Sequence, residues 1–229
     1  MKNLKQYITE KIKITKDNIS IFEYHPKTKK ELQELLKQLI QERGNDGDFN
    51  DIDTSEITDM SDLFWGLKDF NGNISNWDVS NVTNMQFMFK SCISFNQPLN
   101  DWNVSNVTDM RYMFSNCQEF NGDISNWDVS NVTNMNGMFS NSIFKRNISN
   151  WDVSNVTDMH EMFRESIFNK DISNWDISNV TDMRWMFKES KFNGDLSKWT
   201  LNDKCDTYSI FVDCPLENQP EKWPQNYKK

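Results

Sequence analysis

Trp77-Asp78-Val79-Ser80-Asn81-Val82-Thr83-Asn84-Met85-Gln86-Phe87-Met88-Phe89, followed at a short distance by Phe95-Asn96, is written five times almost verbatim, opening again at Trp102, Trp127, Trp151 and Trp175. A sixth tryptophan, Trp199, opens a degraded copy, and the six are separated by 25, 25, 24, 24 and 24 residues. An earlier copy, Ile52-Asp53-Thr54-Ser55-Glu56-Ile57-Thr58-Asp59-Met60, lacks the Trp and keeps the rest. A unit this short cannot bury its own apolar side chains. It must stack on its neighbours. The period therefore predicts an α/β repeat solenoid, a right-handed array of about seven coils of 24–25 residues.

Two periodicities alternate inside each copy. Ile74, Trp77 and Val79 read as a short extended segment; Val82, Met85, Met88 and Phe89 recur at the three- and four-residue spacing of a helical turn. Thr83 stands where an N-cap would stand. Phe70, Phe95, Phe120, Phe144, Phe168 and Phe192 form one apolar column, and Ile74, Leu99, Ile124, Ile148, Ile172 and Leu196 a second. Stacked coil upon coil at a strand spacing of ~4.8 Å, such columns become ladders of like residues. The 24-residue copies lose one residue between the Met-Phe pair and the later Phe, which leaves both apolar registers intact.

The ends differ from the middle. Leu4, Tyr7, Ile8 and Ile12 share one helical face, so residues 1–20 read as an amphipathic docking segment with Leu4, Tyr7 and Ile8 as its candidate contacts. In residues 21–48, Thr28-Lys29-Lys30-Glu31 has the form of a capping box, with Glu31 expected to reach back to the Thr amide. Leu32, Leu35, Leu36, Leu39 and Ile40 follow as an apolar stripe, with Arg43 in the last turn and Gly44 as the stop. This is a helix placed to lid the first coil of an array over residues 49–201. Residues 202–229, broken by Pro215, Pro220 and Pro224, read as a C-terminal cap and tail.

Charge excludes some functions. The chain carries −9 overall, unevenly: residues 1–43 hold 10 Lys/Arg against 6 Asp/Glu, and the remainder 15 against 28. An acidic body repels phosphate backbones, so nucleic acid is not an expected partner. No apolar run approaches the ~18 residues of a membrane span. The charged N-terminus has neither signal peptide nor lipobox, and cytoplasmic or virion-associated localisation is expected.

The columns that invite chemistry have structural readings beside them. Asp78, Asn103, Asp128, Asp152 and Asp176 suggest a carboxylate ladder for calcium, but short Asx side chains also bond their own turns, and Asn103 interrupts the row. The recurrent Ser and Thr need an adjacent base to act as nucleophiles, and His25 and His160 do not recur. Cys92 and Cys117 share a column at a distance that permits a disulfide; Ser142, Ser166 and Ser190 align nearby, which favours small buried residues. No catalytic residue, cofactor or metal is expected.

Positions that vary while their neighbours are copied are the candidates for recognition. Phe87, Tyr112, Gly137, Glu161 and Trp185 lie two residues after the first Met of each copy, and Gln86, Arg111, Asn136, His160 and Arg184 one residue after it. Of these Phe87, Arg111, Tyr112, His160, Arg184 and Trp185 are the candidate binding residues. Exposed aromatics beside Arg have the composition of binding hot spots; scattered surface aromatics are the other reading.

The unit from Trp77 to Asn96 resembles the BspA-type leucine-rich repeat family, in particular a subfamily once catalogued as a domain of unknown function and common in mycoplasma surface proteins. The likeness spans residues 49–201, and the lead-in 26–57 is similar to segments that precede many such arrays. It implies a leucine-rich-repeat-like solenoid that binds a protein or a cell-surface glycan, with no enzymatic activity. Met1-Lys2-Asn3-Leu4-Lys5-Gln6-Tyr7-Ile8 resembles leader segments of gut bacteriophage proteins, which implies a structural or cargo role in a phage particle as the alternative.

Overall fold

The computed structural model describes residues 22–228. Among these residues there is one α-helix, α1 (Lys29–Arg43); it begins where the sequence places it, and Thr28 Oγ1 accepts the Glu31 amide at 3.2 Å. The reciprocal bond is shifted by one residue: Glu31 Oε2 accepts from the Lys27 amide at 2.7 Å, not from Thr28. At the other end Gly44, at φ +79°, returns its N–H to the Ile40 carbonyl. Leu32, Leu36 and Leu39 are buried, whereas Leu35 and Ile40 are only partly so. Arg43 closes the junction by a bidentate pair with Asp51, at 2.7 and 2.8 Å, and its guanidinium lies 5.9 Å from the centre of the Phe49 ring.

From there each repeat lies against the next. Single parallel bridges run Asp59↔Asn84↔Asp109↔Asn134↔Asp158↔Asp182↔Asp206, one per repeat. The helical turn expected after each of these positions does not form: no residue from 44 to 214 is helical. Overlapping four-residue turns take its place. Met88, Lys90 and Cys92 donate to the carbonyls three residues back, at 2.9–3.2 Å, while Met85, Phe87, Phe89 and Ser91 donate to Asp109, Arg111, Met113 and Ser115 of the next repeat, at 2.8–3.0 Å. The amides thus alternate between their own turn and the neighbouring repeat. A helix this short would leave nearly all its N–H groups unpaired; the turn ladder pairs them. Its geometry sets Phe87 and Ser91, and their counterparts in every repeat, at positive φ. The turns keep Met85, Met88 and Phe89 pointing inward, so their spacing imitates a helix.

Side-chain ladders hold the stack. Each of the six Trp side chains is buried, and each indole donates to a carbonyl of the preceding repeat, from Trp77 to Phe49 at 2.9 Å through Trp199 to Ile172 at 3.1 Å. Asn81, Asn106, Asn131, Asn155, Asn179 and Asn202 each donate to a Ser carbonyl one repeat back, at 2.7–2.9 Å. Thr83, far from capping a helix, donates its hydroxyl to the Thr58 carbonyl, and the later Thr residues repeat this. Phenylalanine rings stack along the axis, Phe89 on Phe114 at 5.5 Å and Phe95 on Phe120 at 5.9 Å, and pair within each repeat, Phe114 on Phe120 at 4.0 Å. The result is one continuous core from Leu32 to Leu216.

Small residues serve that frame. Asp78 Oδ1 accepts the Ser80 amide at 3.0 Å, and Asn103, Asp128, Asp152 and Asp176 do the same for their own turns. Cys92 and Cys117 are free thiols; each Sγ donates to a carbonyl of the preceding repeat, Phe64 and Phe89, at 2.9 Å. Burial pushes the Cys92 thiol up to about 12. No group of three His, Cys, Asp or Glu side chains among the described residues is arranged to hold a metal ion.

Candidate functional site

The left-handed turn positions form a line along one edge of the stack: Asp62, Phe87, Tyr112, Gly137, Glu161, Trp185 and Ser209. Their amides hydrogen-bond from repeat to repeat, Phe87 to the Arg111 carbonyl, Tyr112 to Asn136, Gly137 to His160, Glu161 to Arg184. The backbone therefore delivers these side chains to one lane, side by side. Two groups of aromatic rings result.

In the first group Phe87 stacks on Tyr112 at 5.4 Å and on Trp65 at 5.6 Å. Trp65 comes from three residues further along its own turn, because the first repeat has Asp62 at the lane position. It is 55% exposed, the most open ring of the three. Lys90 lies over the row, with its Nζ 4.5 Å from the Tyr112 ring centre and 5.0 Å from that of Phe87. Neither Trp65 nor Lys90 lies in the two variable columns that the sequence singles out; both sit in the column just after the apolar-Phe pair, Leu63-Phe64 and Met88-Phe89.

Tyr112 is not a free outward side chain. The next repeat has Gly137 at the lane position, and the phenol ring lies across it: a Cβ on Gly137 would stand 2.2 Å from Tyr112 Cε1. The hydroxyl then reaches Glu161, one repeat further, donating to Oε2 at 2.9 Å. Glu161 is buried and also accepts from Arg164 at 2.8 Å. Burial, and then the Glu161 carboxylate, raise the Tyr112 phenol well above its ordinary range.

The second group is His160, Trp185 and Tyr208. Trp185 lies 5.3 Å from the His160 ring and 6.4 Å from that of Tyr208. The arginines are tied to the frame: Arg111 pairs with Asp109 through Nε at 2.8 Å and Nη2 at 2.5 Å, and Arg184 with Asp182 through Nη2 at 2.5 Å. Burial pushes the Asp182 carboxyl up, but the hydrogen bonds from Arg184 outweigh it and hold the group below the usual carboxylate range. The structure thus brings Phe87 and Tyr112 together, and His160, Trp185 and Arg184 together, with Gly137 and Glu161 between the two groups. Leu4, Tyr7 and Ile8 lie outside the described residues.

A copied frame with its variable side chains set out along one edge is the build of a repeat protein. The chain belongs to the family described as "Mycoplasma protein of unknown function, DUF285", whose profile matches residues 30–143 and 122–223. Neither a curated protein nor a solved structure matches it. No helix among the described residues is long and apolar enough to cross a membrane.

Proposed function

We propose that this chain is a non-enzymatic interaction module, a right-handed leucine-rich-repeat-like solenoid of the BspA type that captures a protein along its aromatic lane. The observation that carries this reading is the row Trp65–Phe87–Tyr112 under the Lys90 ammonium, displayed on a frame whose other positions are copied. Aromatic residues with an adjacent cation are the composition of interface hot spots. The rings also favour a protein over a glycan. They stack on one another with interplanar angles of 7° and 23°, so Phe87 is held between its two neighbours, and Tyr112 lies between Phe87 and Gly137. Sugar rings stack on open aromatic faces. Side chains of a protein partner pack against edges and cations alike.

The test uses the variant Phe87→Ser, Lys90→Ser, Trp185→Ser, which spares Tyr112 because of its structural tie. Its thermal melt stays cooperative, and its capture of protein partners weakens by at least ~2 kcal/mol, the threshold of a hot spot. Capture equal to that of the parent chain, by a variant shown to be folded, would remove the lane from the recognition surface.

A further inference from the structure

The C-terminal end of the stack is only half covered. In the penultimate repeat the amides of Met183, Trp185, Phe187 and Glu189 donate to the carbonyls of Asp206, Tyr208, Ile210 and Val212. The corresponding amides of the last described repeat are those of Thr207, Ser209, Phe211 and Asp213, and among the described residues no further repeat lies against them. Asp213 is satisfied by Glu217 Oε2 at 3.1 Å. Thr207, Ser209 and Phe211 donate to nothing among the described residues. Phe211 is only 3% exposed, and a backbone donor there needs a partner, since one left unpaired is costly.

The tail covers the other side of this end. Trp223 stacks on Phe211 at 6.0 Å, continuing the phenylalanine ladder, and Tyr227 packs edge-on to both. Lys222 and Asn226 take up the backbone of Leu196 and Leu201. What remains is a cavity of about 500 Å³ lined by Thr207, Ser209 and Phe211, whose amides are open, by Trp223 and Tyr227 of the tail, and by the charged residues Asp206, Glu217 and Lys228.

We propose that this open edge docks an extended segment of a partner protein that alternates basic and apolar residues. Three donors at alternate residues require acceptors at alternate residues, which an extended backbone supplies along one side; this is the logic of strand addition to a sheet edge. The aromatic side chains suit the apolar residues; Asp206, although it also faces Arg184 at 3.7 Å, and Glu217 together outnumber the one cation of the lining, Lys228, and so suit lysine or arginine. The edge adjoins the lane's second group through Tyr208 and Ser209, but the proposal rests on the open amides and not on the row Trp65–Phe87–Tyr112 that carries the reading above.

Amide hydrogen exchange of the full chain, followed by NMR, tests this with two peptides, acetyl-Lys-Val-Lys-Val-Lys-amide and acetyl-Glu-Val-Glu-Val-Glu-amide. The lysine peptide slows exchange at Thr207, Ser209 and Phe211 by at least about tenfold, since exchange tracks the opening of hydrogen bonds; the glutamate peptide does not. Glu217→Gln keeps the oxygen that Asp213 uses and removes the charge, and it weakens the lysine peptide by about two- to fivefold. The proposal is overturned by any of four results: unchanged exchange at the three amides with saturating lysine peptide, equal binding of both peptides, undiminished binding of the lysine peptide by the Glu217→Gln variant, or amides already protected in the chain alone. Protection that grows with protein concentration would assign the edge to a second copy instead, and would equally overturn it.

Discussion

Trp127→Phe isolates what the tryptophan column contributes. The indole is 4% exposed, and its Nε1 donates to the Leu99 carbonyl at 2.9 Å. That carbonyl also accepts the Trp102 amide at 3.2 Å, so removing the indole leaves it with a partner. The hydrogen-bond loss is therefore the net value of about 1 kcal/mol, not the larger penalty of a buried orphan. Phe is roughly 40 Å³ smaller than Trp, which at ~24 cal/mol per Å³ of unfilled cavity adds about 1 kcal/mol. The lost apolar surface, roughly 40 Å² at ~25 cal/mol per Å², adds about 1 kcal/mol more. The expected destabilisation is ~3 kcal/mol, read as a lower urea midpoint with an unchanged slope. A loss below ~1 kcal/mol would show that neighbouring repeats close over the gap and that the indole ladder is not a fixed support. A changed slope would mean that the stack no longer unfolds as one unit.

Leu39→Asp places an unpaired charge under α1, and the whole stack loses at least ~3 kcal/mol; a melt in which only the helical signal moves would show that α1 is not coupled to the first repeat. Gly137→Ala meets both a left-handed backbone and the Tyr112 ring. It costs ~2–4 kcal/mol, the sum of backbone strain and the Tyr112–Glu161 bond, and a neutral effect in a urea titration would refute the account of the slot. Arg43 holds the Asp51 carboxyl below its ordinary value. Its stabilisation, ~1 kcal/mol for a partly exposed bidentate pair, is present above the unfolded carboxylate pKa of about 3.9 and lost as pH falls through the lower folded value. Arg43→Ala flattens that acid limb of the stability curve, and an unaltered limb would show that the pair contributes nothing.

The stacking of repeats, the inward columns and the start of α1 were legible in the sequence, because each rests on a regular spacing of apolar or capping residues. The turn ladder was not. Met85, Met88 and Phe89 have the same spacing in a helix and in overlapping turns, and the difference lies in where the amides point. One signal was available: Gly66, Asn116, Asn141 and Asp213 recur in a single column, and Gly, Asn and Asp are the residues that accept a left-handed backbone. Compared position by position within its column, Tyr112 reads as an outward residue. Its fate is set by the glycine one repeat later, which no inspection of its own repeat reveals.

Among the described residues, hydrogen bonds between repeats join partners 22–28 positions apart, and one side-chain bond skips a repeat altogether, Tyr112 to Glu161, 49 positions apart. A stack held only by neighbour-to-neighbour bonds frays like a zip, one tooth at a time from either end. The Tyr112 phenol is a stitch sewn across three teeth. Pulled from its ends in a force measurement, the chain should surrender its outer repeats singly and then resist, before the three repeats under that stitch give way together.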